Sequence, residues 1–522
     1  MRVKSKVIIL VVMISVMFSL FSACQVQKTE QQKTTTSEVH SKKETPVVLV
    51  WPNVDEGYSA QLKTDASKQV HNKILEVLNV DIRPVFYPID QYQNRVNMLI
   101  ASGDQVDIIP RINRQKSIEY FNDGVIIDLT ELIKNKAPDY LTACEKYEFI
   151  AKAREESKYQ GKDLVMPWPT LVPRGQTLQI RTDWLSKLNI DIPTTLEGFE
   201  AYLEAVKAKD PNNTGKDDTY GLSAGVWGAN IVTIMSMFYC PTGWERWLDE
   251  SGKLQIAELH PNYKLLLEDL ARWYKAGYLP PEVFTSADDQ RNDWVTSNKV
   301  GALATWYSAP IAGIVTLRKS VPEANYLPIC IKGKPEAANA YRNENATPNS
   351  PVITTSSKNP EAAMKFLNYL YTNEGQILCT WGIEDISYKL IDGQPDSILG
   401  EDGNKLYYGV YLPQLSIPQL QFGLFAGPAP NLKLYRELAD VLKTLPGYDP
   451  PDKLVAYDTK AFKSEAKLAD MDTFLQEQRL KVLVGEIPVS EWDNIMSRWK
   501  TMGGEQYLED INLQYKAWLG SK

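Results

Sequence analysis

A strict alternation of short apolar runs and helical patterns begins just after residue 45, and it limits the possible folds more than any other feature of the chain. Val47-Val48-Leu49-Val50 is a continuous apolar run of the kind carried by a strand buried on both faces, and it ends in Trp51-Pro52-Asn53. Leu62, Val70, Ile74 and Leu78 then recur at helical spacing among polar residues. A second strand pattern spans Val80 to Tyr87. A helix carrying Val96 and Leu99-Ile100 follows, then the turn Ser102-Gly103-Asp104 and the run Val106-Asp107-Ile108-Ile109. Strand, helix, strand, helix, strand is the order that builds a mostly parallel sheet with helices on both faces, so the class is α/β. Ligands of such sheets sit at the carboxyl ends of the strands.

With 522 residues the chain is too long for one ordinary core, and two or more lobes are expected. The pattern continues with Val125 to Thr130, with Leu164 to Pro169, and with a strand at Leu178 to Arg181 entering a helix at Thr182 to Leu188. Thr194 and Glu197 read as a capping box ahead of Leu196, Phe199, Leu203 and Val206. A long helix is expected from Tyr263 to Ala276, another begins at Asn359-Pro360, and the last hundred residues read as mainly helical.

The first 24 residues concern address, not fold. Arg2, Lys4 and Lys6 precede an apolar run from Val7 to Phe21, too short for the roughly 20 residues of a spanning helix, and Ser22-Ala23-Cys24 follows. This is a secretory leader, and its end resembles the lipobox of bacterial lipoproteins, in which the cysteine is diacylated and becomes the mature N-terminus. Phe21 and Leu20 depart slightly from that pattern, and ordinary cleavage near Ala23 is the alternative. Gln25 to Thr45, polar and free of aromatic residues, reads as a disordered tether.

Without the three basic leader residues the chain holds 54 Lys and Arg against 65 Asp and Glu. An acidic chain with no basic block argues against nucleic acid as a partner. Cys144, Cys240, Cys330 and Cys379 form no CxxC pair and no disulfide framework, so buried apolar filler is the expectation. Three histidines leave little material for a His-based nucleophile or zinc site.

Several stretches in order carry a likeness. They are Leu99 to Asp104 with Val106-Asp107-Ile108, Gly124 through Thr130, and Ile180-Arg181-Thr182-Asp183-Trp184-Leu185 with Leu188 and Pro193-Thr194-Thr195. Lys299 to Ala302, Ser357 to Ala363, and Gly375 through Trp381-Gly382-Ile383 extend it. Together they resemble the extracellular solute-binding proteins (family 1, large lipoprotein branch) of bacterial ABC carbohydrate importers. The resemblance implies a two-lobed periplasmic-binding-protein-like fold with a mostly parallel sheet in each lobe and a helical C-terminal region. Residues 1–24 would be the lipoprotein leader, 25–45 the tether, 46–170 plus 345–400 the N-terminal lobe, and 171–344 plus 401–522 the C-terminal lobe. It further implies a monomer with no enzymatic role, lipid-anchored through Cys24 on the outer face of the cell membrane. That monomer would capture an oligosaccharide in its cleft and pass it to ABC permease subunits.

Sugars present flat C–H faces that stack on aromatic rings, and hydroxyls that need planar polar partners. Trp51 with Asn53, Trp168, Trp227, Trp306 with Tyr307, and Trp381 lie just past strand ends and are the aromatic candidates, whereas Trp184, Trp273 and Trp518 lie in helical patterns and read as packing. Asp107, Arg174 and Asn230 are the polar candidates, with capping of the following helix as the other role for Asp107. The loop from Asp210 spaces Asp210, Asn212 and Thr214 at positions one, three and five, with Gly215 at six. The carbonyl of Lys216 and the carboxylate of Asp218 are further donors, which is the opening of an EF-hand-like Ca2+ loop. It resembles the calcium loop of alginate-binding members of the family, but the twelfth position is Gly221 and not glutamate. Two other readings stay open: a secreted carbohydrate-active enzyme using a carboxylate pair, and the same fold binding a peptide.

Overall fold

The computed structural model describes residues 45–55, 58–168, 175–224, 231–243, 246–286, 288–343, 350–401, 405–407, 409–411 and 429–520. In chain order the elements that position the site begin with β1 (Val47–Val54), α1 (Asp65–Leu78), β2 (Val80–Tyr87), α2 (Ile89–Ser102), β3 (Ile108–Ile112), α3 (Arg114–Asn122) and α4 (Glu148–Ser157). Next come β4 (Gln176–Arg181), α5 (Thr182–Leu188), α6 (Leu196–Ala208), β5 (Tyr220–Ala224), α7 (Pro261–Lys275), β6 (Val300–Trp306) and β7 (Tyr326–Ile329). The chain then returns through β8 (Ser350–Ile353) and α8 (Pro360–Tyr369), and closes with α9 (Ala429–Thr444), α10 (Leu468–Leu483), α11 (Trp492–Trp499) and α12 (Glu505–Gly520).

The fold is two-lobed and α/β, with a helical C-terminal region. In the first lobe β1 pairs with β2 in parallel, and β8 pairs with β3 antiparallel. In the second the order is β5-β6-β4-β7, with β5 parallel to β6 and β4 antiparallel to both of its neighbours. So β5, β6 and β7 share one direction and β4 opposes them. The two strands that oppose their partners, β4 and β8, are each the first strand after the chain passes from one lobe to the other.

Apolar side chains of the first sheet fill cores on both faces. Leu49, Trp51 and Ile108 join Ala363, Phe366 and Leu367 of α8 on one side, while Val54, Ile109 and Ile112 meet Tyr92 and Val96 of α2 on the other. The second lobe's largest core packs Leu178, Ile180 and Trp184 with Phe199 and Leu203 of α6, Trp273 of α7, and Phe474, Trp492 and Trp499 from the C-terminal helices. Trp184 and Trp273 are buried packing residues, matching their helical spacing.

Two boundaries differ from expectation. Tyr407, Val410 and Tyr411 belong to the first lobe's core, and the Tyr407 hydroxyl donates to the Cys379 carbonyl at 2.8 Å, so the C-terminal lobe does not begin at residue 401. The N-cap of α6 is Thr195, whose Oγ1 accepts the Gly198 N–H at 3.1 Å. The Thr194 carbonyl accepts the Lys332 N–H at 2.8 Å, where Thr195 forms a parallel bridge to that residue. Among the described residues Cys144, Cys240, Cys330 and Cys379 form no disulfide.

The motif Ile180-Arg181-Thr182-Asp183-Trp184 is held by packing and charge. Arg181 is fully buried and donates to both Asp183 oxygens at 2.8 and 2.6 Å and to Asn298 Oδ1 at 2.9 Å. Its guanidinium lies 4.4 Å from the Trp184 ring centroid and 5.4 Å from that of Tyr326. An arginine this deep is tolerated because the carboxylate, an amide and two ring faces replace its water.

Candidate functional site

Trp51 and Asn53 are two residues apart on β1, so they share one face at the strand's carboxyl end. Trp51 stacks on Trp168 with ring centroids 6.3 Å apart and 28° between planes, and meets the edge of Phe366 at 5.2 Å. Both tryptophans and Asn53 are buried. Asn53 Oδ1 accepts the Val54 N–H at 2.8 Å, but among the described residues neither Asn53 Nδ2 nor Trp51 Nε1 has a partner. A buried donor left unpaired costs on the order of 1–3 kcal/mol, so two of them side by side on one strand end are notable.

The other candidates divide. Asp107 is fully buried, and its carboxylate accepts the Val50 N–H at 2.8 Å, Gln105 Nε2 at 2.9 Å and Ser357 Oγ at 2.5 Å. It therefore ties β1 and the segment after β8 to the start of β3, and caps no helix. Tyr307 is buried against Tyr435 of α9, with centroids 5.4 Å apart. Trp306 is half-buried with its ring over Gly175, where an added Cβ would overlap it. Trp381 is buried against Tyr388 and Leu432, so the same helix α9 covers it. Trp51, Asn53 and Trp168 thus come together, whereas Trp306, Tyr307 and Trp381 converge on α9. Arg174, Trp227 and Asn230 lie outside the described residues, as does Cys24.

Sequence reasoning missed Asn113, Arg114 and Gln115, which follow β3 directly at its carboxyl end. They line a cavity of about 200 Å³ together with Lys453, Leu454 and Val455. The strand-end rule already applied to Trp51 points equally to these three.

The loop from Asp210 folds as a ring of oxygen donors. Asp210 accepts the N–H groups of Thr214 and Gly215 at 3.3 and 2.7 Å, and Asp218 Oδ1 accepts Thr214 Oγ1 at 2.9 Å and Asn212 Nδ2 at 3.1 Å. Lys216 N–H donates to Thr214 Oγ1 at 3.3 Å. Asp210, Asn213 and Gly215 take positive φ of 47°, 56° and 70°, which curls the loop on itself. Burial pushes the Asp218 carboxyl up, but Asn212, Thr214 and Lys299 outweigh it and hold its pKa below the usual range. Convergence of Asp210, Asn212, Thr214 and Asp218 suits a hard cation. The charge is thin, however: among the described residues no group of three or more His, Cys, Asp or Glu is placed to hold a metal. Gly221 shows why the twelfth position lacks glutamate. It lies in β5 against α6, and a Cβ there would come within 2.9 Å of Leu203.

Comparison with known proteins gives the same architecture. The chain is 26% identical to Lipoprotein LipO of Bacillus subtilis over 461 residues, 84% of this chain and 86% of that one. The ABC-transporter substrate binding protein FusA of Streptococcus pneumoniae, solved in complex with kestose, superposes with a TM-score of 0.67 at 18% identity, covering 91% of this chain and all of the other. Alginate-binding protein AlgQ2, solved without calcium ion, gives 0.63 at 20% identity over 91% and 98%. The profile of the family described as Bacterial extracellular solute-binding protein matches residues 70–383, more than half of the chain, and this protein belongs to that family.

Proposed function

We propose that the chain is the capture subunit of an ABC importer, binding an oligosaccharide between its lobes and releasing it to permease subunits, with no catalytic role. The observation that carries this reading is the first lobe's strand end, where Asn53 keeps an amide donor without a partner among the described residues, two residues from the stacked Trp51. Rings beside an open amide match the apolar faces and hydroxyls of a sugar. The name of FusA, a substrate binding protein complexed with kestose, supports the class of ligand. A ligand reaches Asn53 only when what covers it moves, as in the hinge opening of two-lobed binding proteins. Arg174, Trp227, Asn230 and the half-buried Trp306 complete the proposed lining from the second lobe.

Anchoring through a lipid on Cys24 fits this role and agrees with the name of LipO. The loop from Asp210 to Asp218 is proposed to hold a structural Ca2+ through Asp210, Asn212, Thr214, the Lys216 carbonyl and Asp218. Chelation should then lower the melting temperature, and Asp210→Ala should abolish that response.

Titration calorimetry against fructo-, galacturono- and glucosamine-containing oligosaccharides tests the main reading. Saturable heat with one class supports it; no heat with any glycan, together with tight binding of a peptide, refutes it.

A further inference from the structure

The segment Asp449 to Lys460 is bonded to both lobes. On the second lobe it is fixed from inside. Asp452 is buried and forms an ion pair with Arg246, and Tyr457 Oη donates to the same carboxylate at 2.9 Å. Tyr457 and Phe462 pack with Leu254, Ile511 and Tyr515, and the Asp458 backbone exchanges two hydrogen bonds of 2.8 and 2.9 Å with Gln514 of α12.

On the first lobe the attachment is polar and narrow. Arg114, at the start of α3, donates through Nη1 to the Leu454 carbonyl at 2.9 Å. Its other two donors serve the Glu156 and Lys158 carbonyls at the end of α4, at 2.9 and 3.0 Å. One guanidinium thus joins two first-lobe helices to the segment. Gln115 Nε2 donates to the Tyr457 carbonyl, and Lys460 Nζ reaches Asp123 at 2.7 Å. Ala456 rests on the core around Val54 and Ile112. The attachment lies at the carboxyl end of β3, where β8 arrives from the other lobe, and the cavity described above lies beneath it.

We propose that Asp449–Lys460 is a strap that limits how far the lobes open, with Arg114 and Gln115 as its positioning residues on the first lobe. The buried ion pair and the apolar cluster make the strap move with the second lobe. The few carbonyl bonds to α3 are the contacts that must give when the lobes part. Cutting them lets the ligand-free protein sample wider openings. The inference rests on the two-lobed fold and not on the sugar assignment, so its test needs no ligand.

Small-angle X-ray scattering of the ligand-free chain reads the opening directly. Gln115→Ala combined with Lys460→Ala removes two strap contacts and leaves the helix ends that Arg114 serves intact. It is expected to raise the radius of gyration by on the order of 1 Å, from about 23 Å for a compact chain of this length, with an unchanged melting temperature. Arg114→Ala should give a larger shift, and Arg114→Lys, which keeps the charge but not the three-way fork, an intermediate one. If the double variant unfolds cooperatively yet keeps or reduces the parent radius, the strap does not restrain the lobes, whatever the Arg114 variants do.

Discussion

In the first lobe Asn53, near the end of β1, keeps a buried Nδ2 with no partner among the described residues; in the second, Trp306 at the end of β6 and Tyr307 just past it have their rings taken up by Gly175 and by Tyr435 of α9. Both ends occupy the topological place where an α/β sheet binds ligands. The difference lies in what returns to cover them. Helix α9, arriving more than a hundred residues after β6, packs Leu434, Leu438 and Leu442 beside Tyr307 and brings Leu432 to Trp381. Position nominates a residue for binding, and the later course of the chain decides whether its surface is already spent.

The contrast can be tested from its strongest point downward. Asp183→Ala should cost about 3–5 kcal/mol in denaturant unfolding, because it leaves Arg181 buried without its carboxylate. A loss under about 1 kcal/mol would mean that Asn298 and the two rings suffice, and that the second lobe is less rigidly filled than described. Gly175→Ala should cost about 1–3 kcal/mol, since the new methyl and the Trp306 ring claim one space. Unchanged stability would show that this ring is free to swing out toward the cleft. Asn53→Ala should weaken sugar binding by about tenfold, near 1.4 kcal/mol, with stability slightly lowered, because removal of the unpaired Nδ2 donor also removes the Oδ1 acceptor of the Val54 N–H. Equal affinity in calorimetry would place the ligand elsewhere in the first lobe.

The smallest effect concerns pH in the second lobe. His260 Nδ1 accepts the Asn262 N–H at 3.2 Å as the N-cap of α7, and burial lowers the imidazole pKa despite Glu336 nearby. The unfolded ring takes up its proton near pH 6.5 while the folded ring resists, so the unfolded state binds more protons below that pH. Stability is therefore full above about pH 6.5 and falls as the pH drops from there toward the folded pKa. His260→Asn, which keeps a capping acceptor, should flatten this slope in melting curves recorded from pH 7.5 to 5.

Much of the framework was legible because it is local. The apolar run at Val47, the helix patterns and the turn at Gly103 report the period of their own backbone, and β1, α1, β2, α2 and β3 follow in the expected order. The strand-end rule set Trp51 and Asn53 just past the strand, whereas β1 runs through both of them to Val54. Their burial was not legible, since Trp51 is closed by Trp168 and Phe366 from far along the chain. Asp107 shows the same limit: its role depends on Ser357, 250 residues away. The motif around Arg181 could be recognised but not explained until Asn298 supplied the third partner. Thr194 and Thr195 could not be told apart as caps because both carry the same hydroxyl, and only the Gly198 N–H bonded to Thr195 Oγ1 separates them.

The pairing of β8 with β3 also bears on the order of folding. Residues Ser350 to Ile353 complete a sheet whose other strands end at Ile112, and α8 closes the same core through Phe366. The first lobe therefore cannot finish folding until some 350 residues have emerged, and any fragment that stops earlier leaves an open strand edge. A chain built in this order closes the core of its first lobe only after the whole of the second lobe's sheet has been made.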